Sequence, residues 1–252
     1  MLYVVGRYRK LSRGLSQTPE SIEGGAIDDV GLGSAEGSVA EHIANVLLPL
    51  FRADTLHVAG SGREDLDVRM LGSGRPFVAC IENARNVKVS VEEMKKAEKD
   101  TVELSGGVVE VYELQIGGTD ALDVVTAGAS QKQKAYAAVV WVSTPQTPQS
   151  LRKYLDDVAP VQITQSTPLR VLHRRTLLDR QRGILAIRTY WINPHWFELR
   201  IITTAGTYVK EFVHGDLGRT TPNIGDLLHA SNPEAPRPTA EIIQLDVLGV
   251  GV

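Results

Sequence analysis

The chain carries one cysteine, Cys80, which can close no internal disulfide and build no cysteine-based zinc site by itself. In "PFVACIE" it reads as a small buried hydrophobe in a reducing compartment. Also missing is an uninterrupted apolar run near the roughly 20 residues that a membrane-spanning helix needs. The opening "MLYVVGRYRK" is too short in apolar residues for a secretory signal. These absences argue against membrane, secreted and metal-centred classes. The expectation is an intracellular protein, in cytoplasm or nucleus, with no membrane partner and no metal. A strong charge of one sign is lacking too: the formal net charge is −3, which argues mildly against a nucleic-acid partner.

What is present changes that last inference. Glu92, Glu93, Glu98, Asp100, Glu103, Glu110, Glu113, Asp120 and Asp123 crowd one third of the chain, whereas Arg170, Arg174, Arg175, Arg180 and Arg182 cluster with Asp179 alone among them. Segregated charge permits a basic face on an acidic protein. With 252 residues, 42% of them hydrophobic, there is material for a sizeable core in one large domain or two small ones.

Along the chain, "LYVVG" reads as a short strand, and 7–34 as mostly loop. Ser38 and Glu41 form a capping pattern before Val39, Ile43, Val46, Leu47 and Leu50, predicting a helix from Val39 to Phe51. "TLHV" and "RPFVACIE", with Pro76 at its beginning, read as two strands joined by a glycine-rich loop. Ser90 and Glu93 cap a polar surface helix, "VEEMKKAEKD". "VVEVYELQI" alternates as a strand, "GGTDALDVVTAGASQKQ" has the composition of a connection, and "KAYAAVVWV" reads as a central strand. Thr147 and Pro148 start another helix. "GILAIRTYWI" and "WFELRIITT" flank Asn193-Pro194-His195 as a hairpin. "TYVKEFVHGDLG" is a short helix ended by Gly215 or Gly218, and "AEIIQLDVLGV" a closing strand. The irregular alternation predicts an α+β fold, with a mixed, largely antiparallel sheet flanked by helices.

The loop "AGSGREDLDVRML" places Arg63, Glu64, Asp65 and Asp67 after a glycine turn and before Arg69. Turns are normally polar, and Arg52-Ala53-Asp54 offers the same Arg-x-Asp triplet without the glycines, so the triplet alone is weak evidence for a site. On its bland reading Arg63 pairs with Glu64 or Asp67, and Asp67 with Arg69.

Other segments narrow the choice. "AGTYVKEFVHGDLGRT" resembles the Gly-Thr-Tyr-Ile-Arg/Lys segment of TruB-type pseudouridine synthases, "QSTPLRVLHRR" stands where those enzymes have an RNA-contacting segment, and "KAYAAVVW" is similar to the strand bearing their active-site tyrosine. Together with "GRYRKLSRGLSQTP", "GREDLDVRMLGSGRPF" and "TPNIGDLL", they resemble the catalytic domain of the archaeal and eukaryotic pseudouridine synthase ten family, from Leu2 to the final "IIQLDVLGV". The resemblance implies the pseudouridine synthase fold across 1–252, with two subdomains, and without the N-terminal THUMP-type RNA-binding domain of the family. It departs at Glu20, where the family has tryptophan.

The activity implied is isomerisation of T-loop uridine at tRNA position 54, 55 or both. The reaction breaks the C1′–N1 bond, turns the uracil and joins C5 to the same carbon, with no nucleotide or other cofactor. The resemblance makes Asp65 the nucleophile, ionised at neutral pH. Lys210 is the cation that keeps it so, and Tyr136 the ring that stacks on uracil. Arg63 lies beside Asp65 to fill the space left by an extracted base or to hold a phosphate. Arg7, Lys10, Arg13, Arg69, Arg170, His173, Arg174 and Arg175 are candidate RNA contacts, with Tyr208 packing the pocket. The partner is the T-arm of tRNA, and the protein is expected to be a monomer. His214 and Asp216 suit no strong motif. Two rivals stay open: a tRNA-binding module of synthase fold without turnover, and a magnesium-dependent nuclease built on Asp65 and Asp67.

Overall fold

Residues alternating between core and solvent build the first strand, β1 (Leu2–Lys10), which buries Val4, Gly6, Tyr8 and Lys10 on one side. The computed structural model describes residues 1–19, 37–173 and 175–251. Among these, α1 (Val39–Phe51) begins where the Ser38 hydroxyl accepts from the Glu41 amide, and it buries Val39, Ile43, Val46, Leu47 and Phe51 at helical spacing. Then come β2 (Thr55–Gly60), β3 (Arg69–Glu82), α2 (Val91–Leu104), β4 (Val109–Ile116) and α3 (Ala121–Gln131). The remaining elements are β5 (Lys134–Val142), α4 (Pro148–Tyr154), β6 (Val161–Ser166), β7 (Asp179–Asn193), β8 (Trp196–Thr203), α5 (Val209–His214), β9 (Thr220–Thr221), α6 (Ile224–His229) and β10 (Ala240–Val250).

The chain divides into two units, 1–130 with 247–250, and 131–246 with 251–252. In the first, the strand order is β4-β1-β3, with β2 also on β3 and the end of β10 beside β3. β1 pairs antiparallel with both β3 and β4, and β2 with β3. At Gly72, φ is +55° and a Cβ would fall 1.8 Å from the Leu248 carbonyl oxygen, so no side chain fits where β3 meets β10. In the second unit the order is β10-β5-β8-β7-β6-β9, and the printed pairs β5–β8, β8–β7, β7–β6 and β6–β9 are all antiparallel. The fold is the α+β arrangement, with a mixed, largely antiparallel sheet flanked by helices, that the alternation predicts.

Four expectations are corrected. β1 does not end at Gly6: Arg7 to Lys10 continue it, with Lys10 occupying a buried position of the alternation. The stretch from Gly117 to Gln133 is not a plain connection, because α3 lies within it. Its Ala121 and Val125 pack on Val78 and Cys80, so burial of one face outweighs the glycine and polar content. β3 starts at Arg69, which puts Pro76 in its interior, opposite Arg7. The polar helix after Ser90 runs to Leu104, and buries Met94, Ala97 and Thr101. The part of the expected N-terminal loop from residue 20 to 34, Glu20 included, lies outside the described residues.

Candidate active site

Three acidic residues of the loop between β2 and β3 have different fates. Asp67 is exposed, Asp65 is half-buried, and Glu64 is almost wholly buried. A buried carboxylate must be paired and hydrogen-bonded to stay charged. Glu64 is: the Arg75 Nε of β3 donates to its Oε2 at 2.7 Å, and the Tyr8 hydroxyl of β1 donates to Oε1 at 2.8 Å and to Oε2 at 3.1 Å. Burial and then the Glu64 charge hold the Tyr8 phenol well above its ordinary pKa, so it stays a donor. The bland pairing of Glu64 with Arg63 is replaced by this inward one, and Arg63 is exposed.

Further bonds reach the loop's main chain. Arg75 Nη1 donates to Ser61 O at 2.7 Å, and Gln17 Nε2 donates to Gly62 O at 3.1 Å and to the Tyr8 hydroxyl oxygen at 2.7 Å. Gly62 has φ +85°, which favours glycine, and a Cβ on Gly60 would come within 2.8 Å of Gln17 Nε2 and 2.9 Å of the Gly62 carbonyl oxygen. From the other side, Lys10 Nζ donates to the carbonyls of Leu15 (2.8 Å), Asp65 (3.1 Å) and Leu66 (2.9 Å). Burial lowers this lysine to about 8, against the pull of Glu64, Asp67 and Asp65, with Arg13 adding to the lowering. Lys10 therefore lies inside the unit, fully buried, instead of at the phosphate-facing surface expected for it.

Arg7 also turns to backbone: its guanidinium donates to Ser73 O, to Gly74 O at 3.1 Å and to Val250 O at 3.5 Å. Arg13 Nη1 donates to Asp67 O at 2.9 Å, and Arg69 opens β3 half-buried. The first unit thus gathers Asp65, Lys10 and Arg13 around one loop, with Arg63 exposed on it.

In the second unit, Lys210 sits half-buried in the first turn of α5, after Tyr208 at the N-cap. The Tyr208 main chain is held by Gln165 of β6, which donates to its carbonyl and accepts from its amide, both at 2.9 Å. Arg170 lies over the Tyr208 ring, 5.9 Å from its centre, while its Nε donates to Glu211 Oε1 at 2.8 Å. Glu211 is 1% exposed, and among the described residues its Oε2 has no hydrogen-bond partner. Leu169 N donates to Asp216 Oδ2 at 3.1 Å, and Arg219 Nη2 to Thr167 O at 2.7 Å, so the segment bearing Arg170 is stapled along α5 and the turn after it. Tyr136 is half-buried on β5 opposite Ile201. His173 and Arg175 are exposed, and Arg174 lies outside the described residues. His214 accepts from the Asp216 amide through Nδ1 at 3.0 Å, a turn-closing bond.

A model of the family described as Pus10, C-terminal, matches residues 3–251. The chain belongs to this family. Within it, the mouse protein named tRNA pseudouridine synthase Pus10 is 41% identical over 251 residues, covering 100% of this chain and 44% of that protein. The Pyrococcus furiosus protein of the same name is 36% identical, covering 90% of this chain and 53% of its own length. The chain spans about half the length of these curated relatives. Among solved structures, a crystal structure of a Cbf5-Nop10-Gar1 complex matches 98% of this chain and 49% of that one, at 15% identity and a TM-score of 0.47. Sequence reasoning on this Pus10-family chain passed over Tyr8, Gln17, Arg75, Gln165 and Glu211. No local pattern marks them, since each acts on a residue from 9 to 56 positions away.

Proposed function

We propose that the protein is a tRNA pseudouridine synthase acting on T-loop uridine at position 54, 55 or both, as a monomer and without a cofactor. The observation that carries this reading is the state of the β2–β3 loop: its main chain is tied from beneath by buried charged groups while Asp65 is left half-buried between exposed Arg63 and exposed Asp67. A carboxylate held on a fixed main chain suits nucleophilic work, since little reorganisation remains when substrate arrives. Family membership supports the same assignment, because relatives of this chain carry the synthase name.

In the proposed reaction, Asp65 engages the target nucleotide as the C1′–N1 bond breaks. The freed uracil turns and its C5 bonds to C1′, and the C5 proton leaves; no electrons are gained or lost overall. On this reading Lys210 serves as the cation of the reaction; a cation in the first turn of a helix opposes the helix dipole, so it is favoured where an anion meets it. Tyr136 stacks on the uracil, and Arg63 occupies the space left by the extracted base. Arg170 and Arg175 contact phosphates, together with His173 and Arg69. Lys10 has no part in RNA contact on this reading.

The test is tritium release from a tRNA transcript labelled at uracil C5, with wild type and Asp65→Asn in parallel and chelator present. Release by the wild type, reduced roughly a thousandfold or more in the variant, is the expected result. Retained tRNA binding without release would favour the binding module. Magnesium-dependent strand cleavage would favour the nuclease.

A further inference from the structure

We propose that Glu64, the buried neighbour of the aspartate assigned as nucleophile, is a positioning residue: gripped by Tyr8 and Arg75, it fixes the main chain that presents Asp65 before RNA arrives. The inference rests on the aspartate reading above and deepens it.

The geometry is that of a clamp with two jaws. Tyr8 comes from β1 and Arg75 from β3, neighbours in one sheet, and their side chains converge on a single carboxylate. Both oxygens of Glu64 are occupied, and the side chains of Glu64 and Arg75 are 0% and 2% exposed. The same two partners reach the loop a second time: Arg75 through Ser61 O, and Tyr8 through Gln17, whose amide also donates to Gly62 O. Carbonyls on one side of Glu64 are therefore tied to the groups that hold its side chain. On the other side the Asp65 carbonyl accepts from Lys10 Nζ and from the Val68 amide, each at 3.1 Å. A loop fastened at 61, 62, 64 and 65 leaves the Asp65 backbone little freedom. Small misplacement of a reacting group is expensive in rate, about a hundredfold per ångström, while substrate affinity is set elsewhere. Glu64 should therefore act on turnover and leave tRNA affinity alone.

Two variants test this. Glu64→Gln keeps the shape but removes the carboxylate charge that Arg75 and Tyr8 grip. Tyr8→Phe keeps the ion pair and deletes the hydroxyl alone, so it stays informative if the first variant fails to fold. The readouts are kcat and KM for uridine isomerisation in tRNA, tRNA affinity, and amide hydrogen exchange by mass spectrometry. The expected result is a kcat lower by about a hundredfold for Glu64→Gln and about tenfold for Tyr8→Phe, with KM within about threefold and affinity unchanged. Exchange should rise at least about tenfold across residues 60–66, with β1 and β3 peptides protected as before. Unchanged kcat in Tyr8→Phe, or exchange rising equally in β1 and β3, overturns the proposal. If wild type forms no pseudouridine, the synthase reading fails separately. Exchange then decides: a rise confined to 60–66 sustains the clamp, and no rise in either variant removes it.

Discussion

A lysine without solvent gives up hydration that a surface lysine keeps, and Lys10 recovers part of it through three carbonyls. The balance is visible in its titration. Folded, Lys10 is lowered to about 8, chiefly by burial, whereas the unfolded chain keeps the ordinary 10.5. Between those values the unfolded state binds more protons, so the contribution of this residue to stability grows as pH rises through the window. Tyr8, raised by burial and by Glu64, has the opposite sign: above pH 10 the unfolded phenol loses its proton first, and stability falls. Comparing wild type with Lys10→Met isolates the lysine. In urea titrations the stability gap should move toward wild type by about 2–3 kcal/mol between pH 7 and pH 10. A gap that stays constant would mean that the ammonium is not desolvated as the structure has it.

Elements differed in how openly the sequence declared them. α1 was legible from Ser38, Glu41 and the spacing of its apolar residues, because a cap and one buried face are local facts. The hairpin of β7 and β8 was legible for a similar reason, with Asn193 opposite Trp196 across its turn. α3 was hidden, since Ala121, Val125 and Gly128 make a shallow buried face that gains meaning only against Val78 and Cys80. The end of β1 was hidden by Lys10, whose buried slot is explained by carbonyls 5 to 56 residues away. At the candidate site, the acidic loop itself could be read, but the fate of Glu64 could not, because Tyr8 and Arg75 converge on it only once β1 and β3 lie side by side. The β7–β8 pair also contains a cost: Arg188 and Arg200 stand directly opposite. Arg200 has Glu198 at 2.6 Å and the Tyr190 ring beneath it, which raises its pKa, so Arg188 is the one to change. Arg188→Glu should stabilise the protein by about 0.5 kcal/mol, raising Tm by about 1–2 °C in a calorimetric scan at low salt.

Over the whole molecule, the proposed reading requires a net charge of −3 to coexist with an anionic partner. It resolves this by assigning phosphate contacts to Arg69, Arg170, His173 and Arg175. If roughly four such contacts form, raising salt from 50 to 200 mM should weaken tRNA binding by about 50–100-fold, with a log–log slope near −3. A slope near zero in filter-binding or anisotropy titrations would remove the electrostatic surface from the account. As for membranes, among the described residues no helix is long and apolar enough to cross one.

The last strand, β10, serves both units, for its residues 247–250 lie against β3 where Gly72 leaves room for the Leu248 carbonyl. On a ribosome this has a temporal meaning. The segment from Met1 to Ser130 is synthesised before β10, and although β1 and β2 can already pair with β3, the stretch of β3 around Gly72 has no partner on its second edge until β10 emerges. At about 5–20 residues per second, that wait is on the order of ten seconds. Through that interval the nascent half carries an open strand edge, the kind of surface on which chaperones and misassembly compete.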